Sequence, residues 1–124
     1  MRLLLDTHIL LWWLEESPKL SASLRALLIS EDEIFVSSAT AWEMSIKSAQ
    51  GKLSVPDDLT AALRYYGFQE LPISVAHGLR AGALPRHHGD PFDRILVAQA
   101  QEEGLTLVTQ DGAVQKYDVA TLSG

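Results

Sequence analysis

Four acidic side chains stand where the chain changes character: Asp6 in "RLLLDTH", Glu43 in "SATAWEMSIK", Asp93 in "HHGDPFDRILVAQA" and Asp111 in "LTLVTQDG". Carboxylates gathered within a few ångströms repel, and each is pushed toward its protonated form unless a cation neutralises the group. Oxygen donors in a chain without cysteine suit a hard divalent ion, Mg²⁺ or Mn²⁺. Such an ion activates bound water and stabilises the charge that builds on a phosphodiester under attack. Phosphodiester hydrolysis is the reaction these residues suit, provided that the fold brings them together.

Each acid also has a structural account. Asp6 and Asp111 are of a type common in caps and turns. Glu43 lies beside the apolar stripe Ala39, Trp42, Ile46 and Ala49 on its helical wheel, which is an odd place for a solvated acid. Its alternative role is an i,i+4 ion pair with Lys47. Asp90, in front of Pro91, suits a helix N-cap, which leaves Asp93 without that role. Asp93 is assigned to the metal, with Asp90 as its substitute one turn away.

The elements that must position these acids alternate along the chain. "RLLLD" reads as a strand and "THILLWWLEE" as a helix that Pro18 helps to end. A helix over "SASLRALLIS" capped by Ser21, the strand "EIFVSS" and a helix over "SATAWEMSIKSAQ" closed by Gly51 follow. "DDLTAALRYYG" is a helix, "FQELPIS" a strand, and "VAHGLRAGALP" a short helix stopped by Pro85. The helix "PFDRILVAQAQEEG", the strand "LTLVT", the turn "QDG" and a weak strand in "YDVATL" complete the order. Strands separated by helices imply right-handed crossovers and a mainly parallel sheet covered on both faces. Sites in such sheets form beyond the carboxyl ends of the strands, where Asp6 and Asp111 both fall if their strands are parallel.

The 124 residues suit one compact domain, with a core that needs no disulfide. The lack of cysteine excludes thiol chemistry and zinc thiolate sites and fits the cytoplasm. The N-terminal run resembles a short signal peptide, but Asp6 and His8 interrupt it and it is too short to span a bilayer, so no membrane segment is expected. A formal net charge of -6 argues against an extended basic nucleic-acid surface, although a bound cation reverses the sign locally.

"LLLDTHILLWWL", "SSATAWEMSIK", "HHGDPFDRILVAQA" and "LTLVTQD" resemble, in that order, the motif blocks of PIN-domain ribonucleases, particularly the VapC-type toxins of toxin–antitoxin pairs. The resemblance covers nearly the whole chain and implies a single PIN domain over residues 1–124, an α/β/α sandwich with a central mainly parallel sheet. It implies that Asp6, Glu43 and Asp93 bind Mg²⁺ or Mn²⁺, with Asp111 as a fourth, more variable acid. Thr109 would orient a ligand or water beside it; the alternative is an ordinary strand-end threonine. The implied partners are an RNA substrate, a cognate antitoxin laid across a hydrophobic groove, and a second copy of the chain in a homodimer.

Arg86, His87, His88 and Arg94 are candidates for holding RNA phosphates, against the alternative that they are simply solvated. His8 is assigned a structural role. Trp12 and Trp13 are either interface anchors or core residues. Three rival functions are weighed. An aspartyl phosphatase needs a second acid two residues after the first, where "DTH" has His8. A metal-free assembly module would carry the repulsion of unused carboxylates. A structure-specific DNA nuclease uses the same kind of acidic site, so RNA rests on the resemblance.

Overall fold

The structure, a computed structural model, describes residues 1–123. Strand β1 (Arg2–Leu5) lies at the centre of a five-stranded sheet. Its companions are β2 (Glu33–Ser37), β3 (Gln69–Leu71), β4 (Thr106–Val108) and β5 (Thr121–Leu122), in the order β3-β2-β1-β4-β5. Every pairing is parallel, with Leu5 opposite Val36 on one side and Val108 on the other.

The unbroken apolar run of β1 follows from burial on both faces. Leu3 and Leu5 enter one core with Leu10 of α1 (Thr7–Leu14), Leu24 and Leu28 of α2 (Ala22–Ser30), Met44 of α3 (Ser38–Ala49) and Leu63 of α4 (Leu59–Tyr66). Leu4 enters the opposite core with Leu96, Val97 and Ala100 of α6 (Pro91–Glu103), against which α5 (Val75–Ala83) packs. This is the expected three-layer α/β/α sandwich. Among the described residues, no helix is long and apolar enough to cross a membrane.

The caps fix where helices leave the sheet. Asp6 Oδ1 accepts the Ile9 N–H at 2.9 Å and starts α1 at the end of β1. Asp90 Oδ1 accepts the Phe92 N–H at 2.8 Å with Pro91 at the first helical position, so Asp90 is the cap of α6 as expected. Gly104 ends that helix at φ 66, a left-handed conformation that costs glycine little.

Several expectations change. Helix α1 stops at Leu14 rather than Glu16, because Glu16 turns left-handed (φ 53) and Ser17 bonds back to Trp12. The weak terminal strand is confined to Thr121–Leu122: Val114–Lys116 form a 3-10 turn, and Tyr117 is drawn into the core with its hydroxyl engaged. Trp13 is 8% exposed, packed against Tyr66 and Phe68 with the Arg25 guanidinium over its ring, and is therefore core. Trp42, expected on a buried stripe, is 62% exposed, because the inward face of α3 is Ala39, Thr40, Glu43 and Met44. Its ring meets Phe92 edge-on at 5.2 Å beside an apolar groove lined by Ile46, Ile73, Pro91 and Ile95.

Candidate active site

Beyond the carboxyl ends of β1 and β4, the chain delivers acids from four elements. Asp6 follows β1 directly and is 5% exposed. Its Oδ2 accepts a 2.5 Å hydrogen bond from Thr109 Oγ1, just past β4, and the same threonine oxygen accepts the Asp111 N–H at 3.0 Å. Thr109 thus fixes the two acids relative to each other, which is more than a strand-end role. Burial lifts Asp6 above the ordinary carboxyl range, against the lowering effect of the Thr109 and Ile9 hydrogen bonds.

Glu43 is 4% exposed, on the inward face of α3. Thr7 Oγ1 donates to its Oε1 at 2.7 Å and lies 3.2 Å from Thr40 Oγ1. Lys47 Nζ donates to Oε2 at 2.8 Å, so the ion pair posed as the alternative account of Glu43 does form. It does not take Glu43 out of the site, because Lys47 also feels the charges of Asp90 and Asp93. The Glu43 hydrogen bond lifts Lys47 above its usual value. Thr7 and Thr40 were not singled out from sequence and left no signal in it, whereas Lys47 was legible from its i,i+4 spacing to Glu43.

Asp93 sits in the first turn of α6. Burial pushes its carboxyl up to about 7, reinforced by the charges of Asp90, Asp6 and Glu43 and opposed by His88. Those same charges place the three expected ligands in one electrostatic cluster. Asp90 borders the cluster while its side chain caps the helix.

Asp111 closes the site from the far side. Its Oδ1 accepts the Ala113 N–H at 2.8 Å, and its Oδ2 lies 2.9 Å from His88 Nε2. Partial burial works to raise it, but the His88 and backbone hydrogen bonds prevail and hold it below the ordinary carboxyl range. His88 Nε2 is also 3.1 Å from Asp93 Oδ2. Burial works to lower His88, while the Asp111 hydrogen bond and the Asp93 charge outweigh it and lift the imidazole. A second proton would have to occupy Nδ1, which already accepts the Asp90 N–H at 3.0 Å. That contact opposes the lift.

One basic-loop candidate is corrected. Arg94 is not available for a phosphate: its Nη1 and Nη2 donate to the carbonyls of Pro85, His88, Ala81 and Leu84, and Nη1 also reaches the Tyr117 hydroxyl. Arg86 and His87 remain exposed. His8, assigned a structural role from sequence, is exposed, and with Ile9, Trp12 and Gln110 it lines a cleft that opens onto Asp6 and Asp111.

The donor set matches a hard divalent cation: carboxylate oxygens, no thiolate, and an Asp93 carboxyl whose ionisation waits on a positive charge. A cation would relieve the repulsion that raises Asp93 and Asp6.

The sequence profile described as "PIN domain" matches residues 3–120. Ribonuclease VapC22 of Mycobacterium tuberculosis (strain ATCC 25618 / H37Rv) is 27% identical over 117 residues, covering 92% of this chain and 90% of that protein. A chain of VapBC2 from Rickettsia felis, solved bound to a promoter DNA fragment, superposes with a TM-score of 0.74 at 17% identity over 99% of this chain and 98% of that one. A chain of FitAcB from Neisseria gonorrhoeae gives 0.71 at 21% identity, over 97% and 96%. The structural likenesses bear on the fold alone.

Proposed function

The chain belongs to the PIN-domain family, and from that premise we propose that it is a divalent-metal-dependent endoribonuclease, residues 1–124 forming one PIN domain, and the toxin of a toxin–antitoxin pair. What supports this reading most is that buried Glu43 is bonded to Thr7, the residue after buried Asp6, and that both acids lie close enough to Asp93 for their charges to join burial in raising it. A structural cluster of buried acids with nothing to bind would only cost stability. The ribonuclease name of the Mycobacterium tuberculosis relative supports RNA as the substrate.

Asp6, Glu43 and Asp93 would hold Mg²⁺ or Mn²⁺, with Asp111 supporting from the outside. Bound there, the cation supplies an activated water and charge stabilisation for a phosphodiester. The protein's own part is to orient the carboxylates. Thr7 and Lys47 hold the two oxygens of Glu43, and Thr109 and the Ile9 amide hold those of Asp6. Exposed Arg86 and His87 are the remaining cationic or polar candidates for RNA phosphates.

Structural neighbours solved as VapBC and FitAB assemblies support a cognate antitoxin as partner. The groove bordered by Leu11, Leu14, Val55 and Pro56 is an apolar place for it. A homodimer suits the Trp42 face, where a protruding ring stands beside a groove on the same surface, the self-complementary shape a two-fold interface requires. Action on cellular RNA would place the protein in the cytoplasm.

The test is incubation of antitoxin-free protein with total cellular RNA in Mg²⁺ or Mn²⁺, with new 5′ ends mapped by sequencing and with EDTA and Asp93→Asn controls. Discrete ends absent from both controls are expected. A folded protein that binds Mn²⁺ yet leaves RNA intact would point to DNA, and one that binds no Mn²⁺ to an assembly module.

A further inference from the structure

His88 Nε2 and one oxygen each of Asp93 and Asp111 lie within 4.8 Å of one another, a spacing that by itself would suit three ligands around one ion. The backbone of Asp90 decides otherwise. An amide N–H can only donate, so Nδ1 of His88, 3.0 Å from the Asp90 nitrogen, presents its lone pair. The proton of the neutral ring is then on Nε2, and a protonated ring nitrogen has no lone pair to give a metal. Ligation through Nε2 would move that proton to Nδ1, directly opposite the Asp90 N–H.

The ring is not free to turn away from this arrangement. The His88 N–H donates to the Tyr117 hydroxyl at 3.0 Å, and that hydroxyl donates to the Pro85 carbonyl at 2.8 Å. Arg94 ties the carbonyls of Ala81, Leu84, Pro85 and His88 to the start of α6. His88 is thus held by the same helix that carries Asp93.

We propose that His88 is a positioning residue, a fixed Nε2–H donor set between Asp93 Oδ2 and Asp111 Oδ2 that orients both carboxylates for the cation without ligating it. The Nε2–H is hydrogen-bonded to Asp111 Oδ2 and faces Asp93 Oδ2 at 3.1 Å, so it offsets the repulsion between the two acids and sets their direction, the outer-sphere role of a ligand's own polar partner. The proposal rests on the metal-dependent nuclease reading above, but its first test does not require metal.

Metal-free protein labelled with ¹⁵N-histidine is examined by long-range ¹H–¹⁵N correlation, and the expected result is the Nε2–H tautomer at His88. An Nδ1–H tautomer overturns the proposal. Mn²⁺ is then added to unlabelled protein, and pulsed electron paramagnetic resonance is expected to show no directly bound ¹⁴N; a strong ¹⁴N coupling lost in His88→Ala would make His88 a ligand and overturn it. His88→Ala should weaken Mn²⁺ binding by roughly 10- to 100-fold, and His88→Gln, which keeps an N–H at similar reach, should recover most of that. Unchanged affinity in His88→Ala overturns the positioning role. If the wild-type protein binds no Mn²⁺ at all, the nuclease reading fails and the orienting role toward a cation falls with it, whereas an Nδ1–H tautomer in a protein that binds Mn²⁺ sinks only the His88 proposal.

Discussion

Thr109 donates from its hydroxyl to Asp6 at 2.5 Å across 103 residues of sequence, joining the end of the fourth strand to the end of the first at the centre of the acidic site. The parallel pairing of β1 with β4 makes this meeting unavoidable, since Leu5 and Val108 are register partners and both residues follow them directly. Thr109→Val keeps the shape and removes the hydroxyl, leaving Asp6 Oδ2 and the Asp111 N–H each short of a partner. It should cost about 1–3 kcal/mol of stability, read by urea denaturation, and weaken Mn²⁺ binding at neutral pH. Thr109→Ser should restore most of both. A Thr109→Val protein as stable as wild type would show that the bond does not hold the site.

Asp6→Asn and Asp93→Asn should abolish RNA cleavage while leaving the fold intact, and in the metal-free protein Asp93→Asn should be at least as stable as wild type above pH 7 because repulsion is relieved. Asp90→Asn should be milder, since Asn also caps helices well and Asp90 is occupied as a cap. Circular dichroism and thermal melts alongside cleavage assays separate the cases. Unfolding of either Asn variant would argue for a structural role instead.

The Asp93 carboxyl sets a pH dependence whose sign is fixed. Its value rises from 3.8 to about 7 on folding, so between those values the folded protein binds more protons than the unfolded chain. Its contribution to stability is full below pH 3.8 and is lost as pH rises through about 7 in the absence of metal. Metal must displace that proton, so Mn²⁺ affinity should rise about 10-fold per pH unit up to the same point and then level off. Calorimetry in buffers of different ionisation enthalpy counts the proton released. A flat affinity across that window would take Asp93 out of the ligand set.

The sheet order and the acids were readable because they rest on local signals: continuous apolar runs for strands buried on both faces, and Asp or Glu where a strand meets a helix. The division between Asp90 as cap and Asp93 as site acid was likewise readable from Pro91 and the apolar run behind it. The misreadings share a cause, which is that polarity of a residue does not say which neighbour it will meet. Trp13, open between core and interface, is core, whereas Trp42 leaves the apolar stripe for solvent, because a tryptophan satisfies a core and a surface alike and α3 turns its small and polar residues inward to build the site. Arg94 was open between phosphate contact and solvation, and its actual role was hidden because four carbonyls scattered over residues 81–88 leave no mark in the sequence.

That reassignment of Arg94 has a measurable side. Arg94→Lys cannot reproduce a planar fork shared among four carbonyls and the Tyr117 hydroxyl. It should cost about 2–3 kcal/mol and speed amide hydrogen exchange over residues 84–90, where His88 is held. The salt dependence of RNA binding should be unchanged, because no phosphate contact is lost. A shallower salt slope with unchanged exchange would return Arg94 to the role of phosphate ligand.

The exposed face of α3 and α6 is the proposed surface for self-association. Trp42, at 62% exposure, costs solubility unless something covers it, and the groove beside it, lined by Ile46, Ile73, Pro91 and Ile95, can receive the same ring from a second copy. Since the neighbouring residues Glu43 and Asp93 belong to the acidic cluster, association through this face would also bring the two copies' sites close to each other. Trp42→Asp places a charge at the centre of that contact and should convert a dimer to a monomer by analytical ultracentrifugation. The monomer's own stability should change little, because the ring is mostly in solvent. Persistence of the dimer in Trp42→Asp would move the interface elsewhere, with the groove along Leu11, Leu14 and Val55 the next place to test.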